Sequence, residues 1–236
     1  MRQHGIDISH WQTSYTPQTF PPKPVDFVIT KFSEGYAESS KVDELWQGAR
    51  QAKSAEGYHY WRTAATLPQQ YESFMRSADG KKVDAVWLDW EGYNNSLTKR
   101  QYDLAYEWIT LMETNFGKVG FYTNRALYQQ MDLWGTWHHN KPFWYANYWN
   151  PCPDPYTNNP TLPDGCDSWD TWQYGICMTY GNQENGRDYG VVSQTLDLNI
   201  RNEETVPPVV PDCEKENARL QAEMASVKEI TDRWEV

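Results

Sequence analysis

Cysteine is scarce in this sequence of 236 residues: there are four, at positions 152, 166, 177 and 213, and no two of them form a C-x-x-C pair. So few cysteines do not make a disulfide scaffold for a chain of this length, and we expect no structural zinc site of paired cysteines. Two alternatives remain for Cys152 and Cys166. They form a disulfide across the Pro- and Asn-rich stretch between them if the protein works in an oxidising compartment, or they are free thiols.

Long apolar runs and clustered positive charge are also missing. No run approaches the ~18 apolar residues that cross a bilayer, and no charged-then-apolar export signal follows Met1. Lysine and arginine total 21 against 32 aspartates and glutamates, which gives a net charge of −11. Because attraction to phosphates needs clustered positive charge, we expect neither a nucleic-acid partner nor a membrane partner.

Motifs for common cofactors are absent as well. The sequence contains no G-x-G-x-x-G, Walker loop, H-E-x-x-H or G-x-S-x-G pattern, so we expect no cofactor. His138 and His139 are adjacent in the sequence. Neighbouring histidines usually point apart and lie exposed, so we expect no metal site there either.

Aromatic residues, by contrast, are abundant: 13 Trp, 16 Tyr and 7 Phe, a content that disordered chains do not carry. Many of them fall in short β-type runs that are apolar at their starts and more polar towards their ends. There are eight such runs, at residues 5–11, 27–32, 57–61, 85–91, 119–123, 143–148, 171–174 and 195–200.

Helix-like stretches at residues 41–55, 69–78 and 98–115 lie between several of these runs, with apolar residues at three- and four-residue spacing. Alternating strands and helices predict parallel pairing with right-handed crossovers, and eight strands favour a barrel over an open sheet. Residues 150–170 have no helical period. We therefore predict an α/β fold, a modified (β/α)8 barrel in which some crossovers lack helices.

The C-terminal part has a different character, and we divide the chain into a barrel at residues 1–205, a Pro-rich linker at 206–212 and a helical tail at 213–236. The tail carries a heptad seam about three repeats long, with Asn217 at one core position. This seam predicts a short coiled coil and a homodimer. The alternatives are a solvated amphipathic helix and a stub that joins another module.

The run from Trp87 to Gly92 is the most informative for chemistry. Side chains two apart on a strand point to the same face, so Asp89 and Glu91 should project together from the end of the fourth predicted strand. In a parallel barrel this end faces the active-site mouth. Two carboxyls in one cleft, beside aromatics that exclude water, allow one to stay protonated while the other ionises. Glycosidic bond cleavage needs this division.

Two further acids extend the pattern. Asp7 lies near the end of the first predicted strand and Asp197 lies on the eighth, and these strands become neighbours when a barrel closes. Together with Asp89 and Glu91 they predict one carboxylate-lined pocket. Aromatic rings near the same strand ends would pack against sugar rings, although we expect about half of them to be core. These residues are Trp11, Trp61, Trp90, Trp144, Tyr122, Tyr148 and Trp172.

With these residues in view, the sequence resembles a known family. Residues 5–12 read GIDISHWQ, which is similar to the opening signature of glycoside hydrolase family 25, the lysozyme or N-acetylmuramidase family common in phage endolysins. The resemblance covers roughly residues 5–200. It continues in order through residues 30–35, 57–60, 88–91, 121–124, 144–148, 172–174 and 197–199.

This resemblance implies a peptidoglycan hydrolase that cleaves the β-1,4 bond between N-acetylmuramic acid and N-acetylglucosamine. Glu91 would be the acid/base, and Asp89 would orient the substrate N-acetyl group in a retaining reaction, with Asp7 and Asp197 completing the acidic pocket. The residues expected to bind the glycan are Tyr60, Tyr122, Trp144, Trp172 and Glu34. In the absence of an export signal, we expect a phage-encoded enzyme released from the host cytoplasm to the cell wall, or an extracellular one.

Two alternatives are retained. Residues 84–91 are similar to the family 18 chitinase pattern D-x-x-D-x-D-x-E, but Trp87 stands where that pattern has its middle aspartate. The other alternative is an inert barrel that binds glycan as part of a phage particle. The presence of both Asp89 and Glu91 argues against lost activity.

Overall fold

All eight predicted strands are present in the computed structural model, which describes residues 1–17, 23–92, 97–179 and 181–202. A two-residue strand, the third in chain order, adds to them. The strands are β1 (Arg2–Ile8), β2 (Phe27–Glu34), β3 (Ala37–Glu38), β4 (Ser54–Tyr60), β5 (Val86–Asp89), β6 (Val119–Asn124), β7 (Phe143–Ala146), β8 (Thr171–Ile176) and β9 (Asp197–Asn202).

Strand β1 closes the sheet into a barrel, because it pairs with β2 on one side and with β9 on the other. Neighbours from β1 through β8 pair in parallel, apart from the short β3, which only extends β2. The prediction of parallel pairing throughout is wrong for the last strand: β9 runs antiparallel to both β8 and β1. The β8–β9 connection provides no crossover helix among its described residues, and the chain simply reverses direction.

Four α-helices pack outside the barrel in the described part of the chain: α1 (Val42–Ala49), α2 (Leu67–Ala78), α3 (Lys99–Glu113) and α4 (Arg125–Asp132). The first three correspond to predicted stretches, whereas α4 was not predicted. Its start is marked by Asn124, whose side chain accepts the backbone N–H of Leu127. Residues 150–170 contain no helix, as expected. These features confirm a modified α/β barrel.

Because successive side chains on a strand point to opposite faces of the sheet, the apolar residues form two layers. Inward-facing side chains fill the barrel, and they include Ile29, Tyr58, Trp87 and Trp144. Outward-facing side chains pack against the helices in a larger layer. No helix among the described residues has the length and apolar character needed to cross a membrane.

The lower end of the barrel interior holds a buried ion pair. The Glu56 side chain is fully buried and pairs with Arg201, which is 8% exposed. Glu56 also accepts hydrogen bonds from Trp87 Nε1 and Ser54 Oγ, both at 2.7 Å. With these donors in place, the Glu56 charge at this end of the barrel interior is both paired and hydrogen-bonded.

The remaining sequence predictions concern cysteines and the tail. Cys152, Cys166 and Cys177 are free thiols, so the Cys152–Cys166 bridge is not formed. Cys166 contacts the backbone oxygen of Ser168 instead, and Cys152 packs near Asn182. The linker at 206–212 and the tail at 213–236 lie outside the described residues. The domain division, the C-terminal helix and the homodimer therefore stay predictions.

The Glu56–Arg201 pair generates a stability prediction. Glu56→Gln removes the anion but leaves the buried guanidinium of Arg201 without a counter-charge, so the free energy of unfolding should fall by about 3–5 kcal/mol. Chemical denaturation of both proteins measures it. The matched control is Asp103→Asn, which breaks the exposed Lys99–Asp103 pair on α3 and should change little. Equal effects of the two substitutions would contradict the prediction.

Candidate active site

A cavity of about 240 Å³ opens at the end of the barrel where the parallel strands finish. All four predicted acids face it. Strands β1 and β5 bring Asp7 and Asp89 to this rim at their C-terminal ends, and β9 brings Asp197 there at its start because it runs the opposite way. The cavity is lined by Asp7, Ser9, Trp11, Gln12, Lys31, Tyr58, Tyr60, Asp89, Glu91, Tyr122, Trp144, Tyr148, Gln173 and Asp197.

The central pair is Asp89 and Glu91. Strand β5 ends at Asp89, but the backbone N–H of Trp90 still bonds to the carbonyl of Tyr122 at 2.8 Å, so the extended pairing continues one residue further. As a result Trp90 turns outward into the core, where it packs against Trp61, and Glu91 returns to the cavity side. The alternation inferred from sequence therefore holds past the formal end of the strand.

Asp89 has an unusual environment. It is 7% exposed, and its Oδ1 is buried without a hydrogen-bond partner among the described residues. A buried acceptor without a donor is costly, and such atoms are uncommon in folded proteins. Asp89 lines the cavity, so a molecule bound there would lie beside this carboxyl group.

Asp7 is held by an amide network. Its Oδ2 accepts hydrogen bonds from Gln173 Nε2 at 2.7 Å and from Asn199 Nδ2 at 2.8 Å. Gln173 Oε1 in turn accepts from the hydroxyls of Tyr122, at 2.7 Å, and Tyr148. Opposite Asp7 in the β1–β9 register lies Asp197. The network fixes the Asp7 carboxylate and connects four strands, β1, β6, β8 and β9, at the rim.

Burial dominates the electrostatics of the four acids. It raises the pKa of Asp7 to about 6 and the pKa values of Asp89 and Asp197 well above the usual range, and nearby carboxylates add to the shift. The pKa of Glu91 is also raised by burial, against the opposing effects of the Tyr122 hydroxyl and the Lys31 charge. The cluster therefore retains protons at a pH where isolated carboxyls have none.

Lys31 provides the positive charge in the cavity. Its side chain is largely buried, lies 4.9 Å from the centre of the Tyr60 ring and pairs with Glu34. Glu34 also accepts a 2.6 Å hydrogen bond from Arg62 Nε. Glu34 does not line the acidic cavity; it borders a second cavity of about 440 Å³ that adjoins it at Lys31. Its position is thus beside the acids rather than among them.

The predicted aromatic residues form two groups, according to whether their position on the strand points into the barrel or outward. Tyr60, Tyr122 and Trp144 line the cavity, whereas Trp172 does not. On β8 the inward side chain is Gln173, so Trp172 points outward, is fully buried and donates from Nε1 to the Asn147 carbonyl. Of the other aromatics expected near the strand ends, Trp11 and Tyr148 line the cavity, and Trp61 and Trp90 belong to the core.

Sequence reasoning missed several site residues, above all Lys31, Gln173 and Asn199. These residues fall in the family motifs at 30–35, 172–174 and 197–199, but no local pattern assigns them a role. One signal was available for Asn199, because it lies two residues after Asp197 on a strand and therefore points to the same face. Gln173 faces the barrel interior only through the register of β8. The sequence does not show which alternate side chains of β8 face the same side as the acids on the other strands, because that depends on strand register.

One group of possible metal ligands lies elsewhere. In the described residues, only Asp132, His138 and His139 bring three such donor atoms within 4.8 Å of one another, and none of them lines the acidic cavity. The expectation that His138 and His139 point apart is wrong, and the expectation that they lie exposed holds for His139 but not for His138. His138 is buried, and both rings turn towards Asp132, because the 3₁₀ turn Trp137–Asn140 packs against the end of α4.

Comparison with known proteins gives a family match. The model of the glycosyl hydrolases family 25 matches residues 6–180. A search among curated proteins finds no match.

Solved structures share the fold. A family 25 glycosyl hydrolase from Bacillus anthracis is 19% identical, with 86% of this chain and 90% of that chain covered and a TM-score of 0.66. The bacterial lysozyme from Streptomyces coelicolor is 22% identical, with 86% and 93% covered and a TM-score of 0.66. The catalytic domain of endolysin ply40 from Listeria monocytogenes bacteriophage P40 is 20% identical, with 86% and 94% covered and a TM-score of 0.66.

The raised pKa of Asp7 generates a prediction about stability and pH. The unfolded carboxyl ionises near pH 4, whereas the folded one keeps its proton to about 6, so the protein loses stability as the pH rises from 4 through 6. Asp7→Asn should therefore raise the free energy of unfolding at pH 7, by about 1–3 kcal/mol, with the gain vanishing towards pH 4. Denaturation of both proteins across this range measures it.

An exposed acid provides the control for this measurement. Asp167 lies on the surface, and Asp167→Asn should give no gain that grows between pH 4 and pH 7. A stability difference between Asp7→Asn and the parent that stays constant with pH would contradict the assignment.

Proposed function

Because the chain belongs to the glycosyl hydrolases family 25 and is thus a glycoside hydrolase, we propose that it hydrolyses the β-1,4 bond between N-acetylmuramic acid and N-acetylglucosamine in peptidoglycan. The observation that carries this proposal is the pairing of Asp89 and Glu91 in one cavity, with an oxygen of Asp89 that is buried and has no hydrogen-bond partner in the described part of the chain. A sugar bearing an N-acetyl group supplies the missing donor, its amide N–H.

Glu91 is the acid in this proposal. It is less buried than Asp89 and lines the same cavity, so the glycosidic oxygen of a bound glycan can reach it. Burial raises its pKa, which favours the protonated form that an acid needs. Proton transfer from Glu91 to the glycosidic oxygen would let the leaving sugar depart as an alcohol.

Asp89 acts on the N-acetyl group. When the substrate amide N–H donates to Asp89 Oδ1, it stabilises the carboxylate form of Asp89 and lowers its pKa from the raised value of the free enzyme. The proton retained by the cluster is then held by Glu91 rather than by Asp89. Substrate binding itself would thus set the two carboxyls into their separate roles.

These positions support a reaction that retains the anomeric configuration. With its N–H held by Asp89, the amide oxygen of the substrate attacks the anomeric carbon from the face opposite the leaving oxygen, and a cyclic intermediate forms. Glu91, now deprotonated, takes a proton from water, whose oxygen attacks the same carbon and reopens the ring. Two inversions give net retention, which defines a substrate-assisted variant of the retaining mechanism.

Asp7 and Asp197 complete the group of acids that surrounds the reacting sugar in this proposal. Positive charge develops at the anomeric centre and the attacking amide in such a reaction, and fixed carboxylates in a water-poor site stabilise it. The amide network around Asp7 holds this charge in place before the substrate binds, so little reorganisation is needed.

The surface beside the cavity suits a polymeric glycan. Trp11, at the cavity, is 75% exposed, and Tyr36, at the adjoining cavity, is 68% exposed. Exposed flat rings pack well against the C–H faces of sugars. The two adjoining cavities would accommodate sugars beyond the pair whose bond is cleaved. A lytic role, in a phage endolysin or in an extracellular enzyme, belongs to the same proposal and is supported by the family.

The acid assignment predicts the effect of one substitution. Glu91→Gln keeps the shape of the side chain but removes the proton donor, so kcat for release of reducing ends from purified peptidoglycan should fall by about 10²–10⁴-fold. The thermal midpoint should not decrease, since a buried carboxyl is replaced by a neutral group. The control Glu44→Gln alters an exposed glutamate on α1 that pairs with Lys41 and lines neither cavity, and it should leave kcat unchanged.

Other outcomes of that assay decide between functions. A barrel that only binds glycan would release no reducing ends before or after the change and would sediment with walls equally in both cases. Hydrolysis of chitin with no hydrolysis of peptidoglycan would favour the family 18 type of enzyme. Mass spectrometry of the products identifies the cleaved bond, because a muramidase leaves muramic acid at the reducing end.

The participation of the N-acetyl group predicts the anomer of the product. Proton NMR during the first minutes of digestion of a soluble peptidoglycan fragment should show the β-anomer before mutarotation sets in. Asp89→Asn should lower kcat more than it raises KM, since Asp89 acts mainly on the transition state. An α-anomer as first product would contradict the retaining course.

A further inference from the structure

The cluster formed by Asp132, His138 and His139, here called the His–Asp cluster, lies on the outside of the barrel. Asp132 is the last residue of α4, and the histidines belong to the 3₁₀ turn Trp137–Asn140 that precedes β7. None of these residues lines either the acidic cavity or the adjoining one. The cluster is therefore separate from the site of the hydrolysis proposed above, and its role can be argued independently.

Three donor atoms converge in this cluster. The Nε2 atoms of His138 and His139 approach the same oxygen, Asp132 Oδ1, at 3.2 Å and 2.6 Å. The imidazole rings are 4.4 Å apart at an interplanar angle of 82°, so their Nε2 atoms approach the oxygen from different directions. Tetrahedral zinc bound at ~2.0–2.1 Å has ligand atoms roughly 3.3 Å apart, so small side-chain shifts would suffice.

The surroundings hold one histidine ring in the orientation that metal binding requires. His138 Nδ1 is 2.9 Å from the hydroxyl oxygen of Tyr102, and both residues are buried. A hydrogen bond to the second ring nitrogen fixes the tautomer and the ring orientation, and metal-binding histidines almost always have one. Edge-on contacts with the rings of Tyr128 and Trp137 restrict His138 further.

The other side of the cluster is open. The side chains of Asp132 and His139 are 31% and 33% exposed, whereas that of His138 is fully buried. An ion can therefore enter from solvent, and water can occupy its fourth coordination position. Two imidazoles and one carboxylate form a ligand set that suits zinc and related divalent transition metals.

We infer that the His–Asp cluster binds one divalent transition-metal ion, zinc being the probe of choice, through His138 Nε2, His139 Nε2 and Asp132 Oδ1. The ion fastens the end of α4 to the turn that leads into β7, the strand that carries Trp144 to the acidic cavity. It has a structural role. The competing explanation is a hydrogen-bonded triad that uses no metal.

Isothermal titration of the full chain with zinc chloride tests the inference. The protein is prepared without an affinity tag, stripped with a chelator and kept reduced. We expect one zinc ion to bind per chain with micromolar or tighter affinity, and the thermal midpoint to rise with zinc concentration because the ion binds only the folded state. If zinc gives no binding heat and no shift of the midpoint, the hydrogen-bonded triad is the correct description.

Variants locate the binding. His139→Gln, at a partly exposed position, should abolish the binding heat and the zinc-dependent rise in midpoint, while the fold survives. Tyr102→Phe keeps the ring packing but removes the hydroxyl from His138, and should weaken binding by roughly 10–100-fold. His10→Gln is the control and should bind as the parent does. Zinc binding that His139→Gln leaves intact would place the ion elsewhere, for example on a thiol, and overturn the inference.

Discussion

The pairing of β1 with β9 is the constraint on which the site depends. It closes the barrel and sets Asp7 opposite Asp197, so that carboxylates from both ends of the chain face those of β5 across one cavity. Closure also creates a dry interior. In that interior carboxyls lose their solvation, and their pKa values rise. The reactivity of the cavity is thus a consequence of barrel closure.

Such a cluster costs stability, and the two ends of the barrel deal with buried charge in opposite ways. At the lower end Glu56 is neutralised by Arg201 and satisfied by Trp87. At the upper end Lys31 is the one cation among the described residues that line the cavity of the four acids, and none of those residues donates to Asp89 Oδ1. The first arrangement is that of a stabilising support, and the second, a group of buried acids with raised pKa values in a cavity, is typical of a functional site.

The sequence was most informative where a local pattern decides. The alternating runs predicted all eight barrel strands, the acids Asp7, Asp89, Glu91 and Asp197 were correctly expected in one pocket, and the absent helix at 150–170 was anticipated. Prediction from the sequence failed where the side of the sheet to which a side chain points depends on pairing with a distant strand. Trp172 was expected in the cleft but points outward, and Gln173 beside it holds Asp7 instead.

The sequence by itself determined the residue types of the site, their placement at strand ends and the family, because hydrophobic period and motif spacing are local properties of the chain. Only the tertiary structure decided the antiparallel direction of β9, the inward parity of β8 and the convergence of His138 and His139 on Asp132. These features arise from register and packing between segments far apart in sequence. A shift of one residue on a strand moves every side chain to the opposite face, and no local pattern fixes that choice across the barrel.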